Sequence, residues 1–156
     1  MNKIISTEQV QKTAQKLQRE NKKIALAGGC FDVLHAGHIK YLNDAKKKSD
    51  ILFVLLESDE SISKLKGGNR PLNNQKNRSI VLSALSSVDY IIPLMGVTNE
   101  KEYDKLIVQI KPAYIVITAG DKNTSQRLDQ CKMIDAKLVE IEKLENFSSS
   151  NYIESI

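Results

Sequence analysis

Gly28-Gly29-Cys30-Phe31-Asp32-Val33-Leu34-His35-Ala36-Gly37-His38 bridges an apolar strand and an amphipathic helix. Ahead of it, Ile24-Ala25-Leu26-Ala27 reads as a buried strand; behind it, Ile39, Leu42 and Ala45 recur at helical spacing. The glycines and histidines therefore lie on a strand-to-helix turn. Backbone N–H groups at a helix start are unpaired and present the positive end of the helix dipole, so an anion placed there is stabilised. Gly37 leaves room for a phosphate to come close. His35 and His38, three positions apart, share one face of the opening turn and reach the same bound group.

Outward from the turn, strand candidates at Lys23 to Ala27, Ile51 to Leu56, Tyr90 to Leu94, Ala113 to Thr118 and Lys137 to Ile141 alternate with helical patterns over 36–48, 74–86, 100–110 and 125–135. Near-continuous hydrophobic strands joined by helices predict an α/β, Rossmann-like fold: a five-stranded parallel sheet with helices on both faces. Ligands of such sheets bind beyond the carboxyl ends of the strands at the topological switch point, where the turn after the first strand lies. The loop-like stretches Lys66 to Asn74 and Gly120 to Asn123 follow strands or a short helix, on that same side. Ser6-Thr7-Glu8-Gln9 starts an opening helix with an apolar stripe of Val10, Ala14 and Leu17, ended by Asn21. The expected organisation is one domain over 1–156, with 1–21 an accessory helix and 22–156 the core.

At 156 residues the chain is long enough to bury a core without disulfides or metals. No apolar run approaches the length of a membrane span, and Met1-Asn2-Lys3-Ile4-Ile5-Ser6 has no signal-peptide core, so no membrane partner and a cytoplasmic location are expected. The net charge of +4 comes from 23 basic residues offset by 19 acidic ones along the whole chain, which reads as solvated helix faces. With no tryptophan and no aromatics interleaved with the basic residues, a nucleic-acid partner is not expected. Cys30 and Cys131 are too few for a disulfide framework. His35 and His38 are the only histidines, and no C-x-x-C pair supports them, so no protein-held metal site is expected.

His35-Ala36-Gly37-His38, preceded by Gly29-Cys30-Phe31-Asp32, resembles the H-x-G-H signature of the cytidylyltransferase-like nucleotidyltransferases. The resemblance covers nearly the whole length: Lys66-Gly67-Gly68-Asn69-Arg70-Pro71, the helix around Arg78 to Leu82 with Val88-Asp89 after it, and Ser148-Ser149-Ser150 before a final short helix follow the family's order. Within the family the wording is most similar to heptose-1-phosphate adenylyltransferase domains, then to glycerol-3-phosphate cytidylyltransferases. The resemblance implies transfer of a nucleoside monophosphate from ATP or CTP, carried with Mg²⁺, to a small phosphorylated sugar or alcohol, by a homodimer. It assigns catalysis to His35, His38, Lys66 and Arg70. Nucleotide contacts fall to Gly29, Cys30, Phe31, Asp32 and Gly37 of the turn, to Arg78, to Gly120 and Asp121, and to Ser148, Ser149 and Ser150.

The residues themselves allow other roles. Lys66 and Arg70 bracket Gly67-Gly68-Asn69, so two cations on a glycine hinge are expected to fold over phosphates, with Lys64 as an alternative to Lys66. Asp32 is expected to orient the turn by accepting backbone N–H bonds. For Arg78 a surface or ion-pairing role stands equal to phosphate binding, and one of the three serines is expected to cap a helix. Departures from the heptose pattern gather where a second substrate would be read: Ala27-Gly28 for threonine and asparagine, Glu57 for asparagine, Thr118-Ala119 for lysine and glycine. They leave the acceptor open, and with it a non-catalytic nucleotide-binding module as the alternative.

Overall fold

The structure is a computed structural model that describes residues 2–96, 99–145, 148 and 153. Helix α1 (Thr7–Arg19) precedes β1 (Ile24–Gly29), α2 (Ala36–Lys47), β2 (Ile51–Leu56), α3 (Asp59–Lys66), α4 (Gln75–Ser83), β3 (Tyr90–Pro93), α5 (Glu100–Ile110), β4 (Tyr114–Thr118), α6 (Thr124–Ile134) and β5 (Lys137–Ile141). All five strands are parallel, in the order β3-β2-β1-β4-β5. The chain builds β1, β2 and β3 in one direction, then crosses back to lay β4 on the other side of β1. The switch point therefore lies between the carboxyl ends of β1 and β4.

Successive residues of a strand point to opposite faces, and the core divides accordingly. Leu26, Phe53 and Leu55 pack with Val10 and Ala14 of α1 and Ile107 and Ile110 of α5. Ala25, Leu52 and Val54 pack on the other face with Leu42 and Ala45 of α2 and Leu82 of α4. Apolar strands covered on both faces are what makes an all-parallel sheet stable.

Three element boundaries differ from the sequence expectation. Strand β1 runs two residues further, because Gly28 and Gly29 stay in register with Leu55 and Leu56. The short helix α3 takes in Lys66, which was expected in the loop; it is capped by Ser58 accepting from the Ser61 N–H and ended by Gly67 at φ 99°. Helix α4 runs from Gln75, capped by Asn74, only to Ser83 and so ends short of the expected 86, with Arg78 in its first turns.

Helix α1 is more than accessory. Ser6 and Gln9 form a reciprocal capping box at its start. Val10 and Ala14 are fully buried, and the strand-like stretch before the helix pairs with β3 through Ile5 N–H to Ile91 O at 3.0 Å and Ile91 N–H to Lys3 O at 2.8 Å. Deleting residues 2–21 uncovers Ile107 and Ile110. The truncated chain is expected to lose cooperative thermal unfolding or to melt well below the full chain, and an unchanged melting temperature would return α1 to an accessory role.

Candidate functional site

A cavity of about 420 Å³ opens over the carboxyl ends of β1 and β4, at the switch point. Its upper wall is the turn after β1. Phe31 takes a left-handed backbone (φ 47°), which folds its ring back over Gly29. A Cβ at position 29 would lie 2.9 Å from the Phe31 ring, so glycine is required there. The ring then packs against His38, with centroids 5.2 Å apart.

His35 caps α2: its Nδ1 accepts from the Gly37 N–H at 3.1 Å. A nitrogen that accepts carries no proton, so in the neutral ring Nε2 bears the hydrogen and is the donor. The His38 ring stacks on His35 at 3.8 Å between centroids, and its Nδ1 is sealed from solvent and has no hydrogen-bond partner among the described residues. Burial, then the neighbouring His35 and Lys66, lower the His38 pKa to about 4, with only the Val33 backbone pulling the other way. Burial lowers His35 as well. Both rings are therefore neutral donors at pH 7, placed at the positive end of a helix.

Lys66, the last residue of α3, lines the cavity, whereas Lys64 faces a separate surface cleft with Ser63 and Pro71. Arg70 is not beside Lys66 on that wall. Its Nε donates to Asp32 at 2.8 Å, and Asp32 also accepts from the backbone N–H groups of Leu72 at 3.0 Å and Asn73 at 2.9 Å. Burial alone would raise the Asp32 carboxyl; the Asn73 and Leu72 N–H groups and Arg70 outweigh it and hold it low. The two residues pin the loop after α3 to the turn after β1.

Arg78 is only 2% exposed and lies outside the cavity. It donates to Asn73 O at 2.9 Å, Cys30 O at 2.6 Å, Glu57 O at 2.9 Å and the Asp59 carboxylate at 2.6 Å. Of the roles left open for it, the geometry is that of ion pairing, a buried guanidinium on the partly exposed Asp59 carboxylate with a fan of carbonyl contacts, and leaves no face toward a phosphate.

Across the cavity, Asp121 lines the wall after β4 and accepts from the Asn123 N–H at 2.7 Å, while Gly120 (φ 76°) makes the turn without lining it. Cys30 and Ser148 line the cavity too; burial pushes the Cys30 thiol up, away from thiolate chemistry. Ser149, Ser150 and most of the expected final helix lie outside the described residues.

Among the lining residues that were not expected are Tyr103 of α5 and Arg127 of α6. Each had one signal in the sequence. Tyr103 continues the stripe of Leu106, Ile107 and Ile110, and Arg127 that of Gln130, Cys131 and Ile134, so both stand on inward faces.

Two measurements follow from this geometry. His38 titrates near 6.5 when unfolded and near 4 in the fold, so between those values the unfolded chain binds a proton that the fold refuses. Stability should fall as pH drops from 6.5 to 4, by on the order of 3 kcal/mol from this group. His38→Asn should flatten that part of the stability profile, and equal slopes in urea melts of the two proteins would contradict it. Arg78→Met should cost on the order of 1–3 kcal/mol in urea melts by orphaning three backbone carbonyls, with Arg78→Lys recovering only part because its point charge cannot fan out.

Comparison with known proteins agrees with the fold. Residues 26–155 match the family model described as cytidylyltransferase-like. The chain is 38% identical over 149 residues to the bifunctional protein HldE of Aliarcobacter butzleri, covering 96% of this chain and 30% of that protein. The corresponding protein of Wolinella succinogenes is 38% identical over 154 residues, covering 99% of this chain and 31% of its own length. The chain thus spans about 30% of the relatives it matches. Among solved structures, the lipopolysaccharide core biosynthesis protein from Thermoplasma volcanium superposes with a TM-score of 0.67 at 29% identity, covering 80% of this chain and 99% of that one. A pantoate-beta-alanine ligase from Francisella tularensis shares the fold alone, with a TM-score of 0.71 at 17% identity over 96% of this chain and 72% of its own. With the H-x-G-H turn at the switch point and a family match over most of its length, the chain belongs to the cytidylyltransferase-like family of nucleotidyltransferases.

Proposed function

We propose that this chain transfers an adenylyl group from ATP to the phosphate of a small phosphorylated sugar or alcohol. An oxygen of the acceptor phosphate attacks the α-phosphorus, a new P–O bond forms, and the bond to the bridging oxygen breaks as pyrophosphate leaves with the electron pair. The observation that carries the reading is the stacked His35–His38 pair at the start of α2, facing Lys66 in one cavity at the switch point. The chemistry demands positioning and charge stabilisation, and the protein needs no nucleophile of its own. Neutral imidazole N–H groups and the α2 amides donate to the α-phosphate, and Lys66 neutralises the oxygens of the leaving group. Asp32 and Arg70 act through the turn they hold.

Mg²⁺ enters as part of the triphosphate substrate and neutralises the departing pyrophosphate. Among the described residues no three His, Cys, Asp or Glu side chains gather to hold an ion, so in this reading the triphosphate supplies most of its ligands. The preference for ATP and for a sugar phosphate rests on the resemblance of the histidine turn and the opening helix to heptose-1-phosphate adenylyltransferase domains, and a role in lipopolysaccharide core biosynthesis, which the Thermoplasma volcanium structure's name gives that protein, is consistent with it. A homodimer acting in the cytoplasm completes the reading. Among the described residues no helix is long and apolar enough to cross a membrane.

Pyrophosphate release from ATP and from CTP over a panel of phosphorylated acceptors tests this reading. His35→Ala and His38→Ala should each lower turnover on the order of a hundredfold or more, as loss of one donor from a preorganised anion site does. Full activity in either variant would overturn the mechanism. A clear preference for CTP would change the donor, and tight nucleotide binding without release of pyrophosphate would make the chain a binding module.

A further inference from the structure

The end of the sheet opposite the histidine turn carries a second cleft, of about 640 Å³, under the amino ends of β1 and β4. Ile24, the first residue of β1, and Pro112 and Ala113, ahead of β4, form its apolar floor. Four lysines line it, Lys22, Lys23, Lys111 and Lys132, against one carboxylate, Asp135. They come from the turn after α1, the end of α5 and the last turn of α6, segments that only the fold brings together.

Lysines near helix carboxyl ends commonly answer the negative end of the helix dipole. Here other groups meet most of that need. The last turn of α1 already holds Lys16 and Arg19, and the dipole field falls off within that turn, short of Lys22 and Lys23. The carboxyl end of α5 is covered by Gln18, whose Nε2 donates to Ile110 O at 3.0 Å and to Lys111 O at 2.9 Å. Asp50, beside the cleft, accepts from the Lys23 backbone N–H at 2.8 Å. Among the described residues Lys22, Lys23 and Lys111 form no ion pair, and Lys132 forms only an exposed one with Asp129 at 3.3 Å. Against Asp135 alone, the cleft therefore holds an excess of three positive charges that the fold does not use.

We propose that this cleft binds a soluble anion carrying two or more linked phosphates, at a site separate from the histidine cavity. Its cations are all lysines, point charges that cannot grip a planar carboxylate as an arginine fork does, so their attraction grows with the number of charges on the ligand. The volume is that of a small-molecule site. Strand β1 runs from this cleft to the histidine turn over its six residues, roughly 20 Å at about 3.3 Å per residue, too far for one small anion to touch both.

Proton–nitrogen correlation NMR of the full chain, titrated with inorganic triphosphate at low ionic strength without divalent cations, tests the site residue by residue. The amides of Ile24, Ala113 and Ile134 should shift and saturate, with triphosphate binding about tenfold or more tighter than acetate and with pyrophosphate between them. Lys22→Gln combined with Lys111→Gln should weaken triphosphate at those amides about tenfold, while the Gly37 amide on the histidine turn responds alike in variant and parent. Met133→Glu, which sets a carboxylate in the cleft and keeps all four lysines, should weaken it similarly, and thermal melts of both variants should match the parent. No saturable shift at the three amides, acetate binding as tightly as triphosphate, or unchanged triphosphate affinity in both folded variants would each overturn the site.

Discussion

One buried guanidinium holds the active-site end of this molecule together. Arg78 joins the turn after β1 through Cys30 O, the turn after β2 through Glu57 O, and the loop before α4 through Asn73 O, and it pairs with Asp59 at the start of α3. Those segments carry the histidine turn, Glu57 and Lys66. A buried cation is expensive in water-free surroundings, and its desolvation is offset only when its donors are used. Here the Nε, Nη1 and Nη2 groups all are. The planar fork reaches acceptors on segments far apart in sequence, which a lysine could not do. The Asp32–Arg70 pair repeats the device one layer outward, fixing the loop after α3 to the same turn.

A cavity rigidified this way can work with neutral histidines. Positive charge at the anion site comes from helix geometry and from Lys66, while burial keeps His38 uncharged and stacked against His35. Two imidazolium rings 3.8 Å apart would repel, so stacking and neutrality go together. The site is thus preorganised in shape, with its rings held neutral.

What the sequence made legible follows from how local each signal is. Apolar runs bounded by polar residues announced all five strands, and the glycine-histidine turn declared its place. Gly28 and Gly29 hid the end of β1, because glycines carry no pattern although their backbones pair normally. Arg70 sat in a glycine-rich stretch that read as mobile, yet its partner Asp32 lies 38 positions away. Arg78 was undecidable for the same reason: its acceptors are carbonyls of loops that only the fold assembles. Tyr103 and Arg127 were camouflaged as surface residues of amphipathic helices, and only their register with the apolar stripes marked them.

The departures at Gly28 and Glu57 belong with those two hidden residues. Gly28 admits the Tyr103 hydroxyl, Tyr103 supports the Arg127 cation, and Arg127 is the largest pull holding the half-buried Glu57 carboxylate charged. A side chain at position 28 would displace the ring, and without the ring the cation would lose its seat. The four positions therefore form one physical unit spread over β1, β2, α5 and α6. The histidine turn lies on the other face of the sheet, at the α2 start, and shares none of these side chains. The two ends of the cavity are therefore built separately, and a change in one leaves the packing of the other in place.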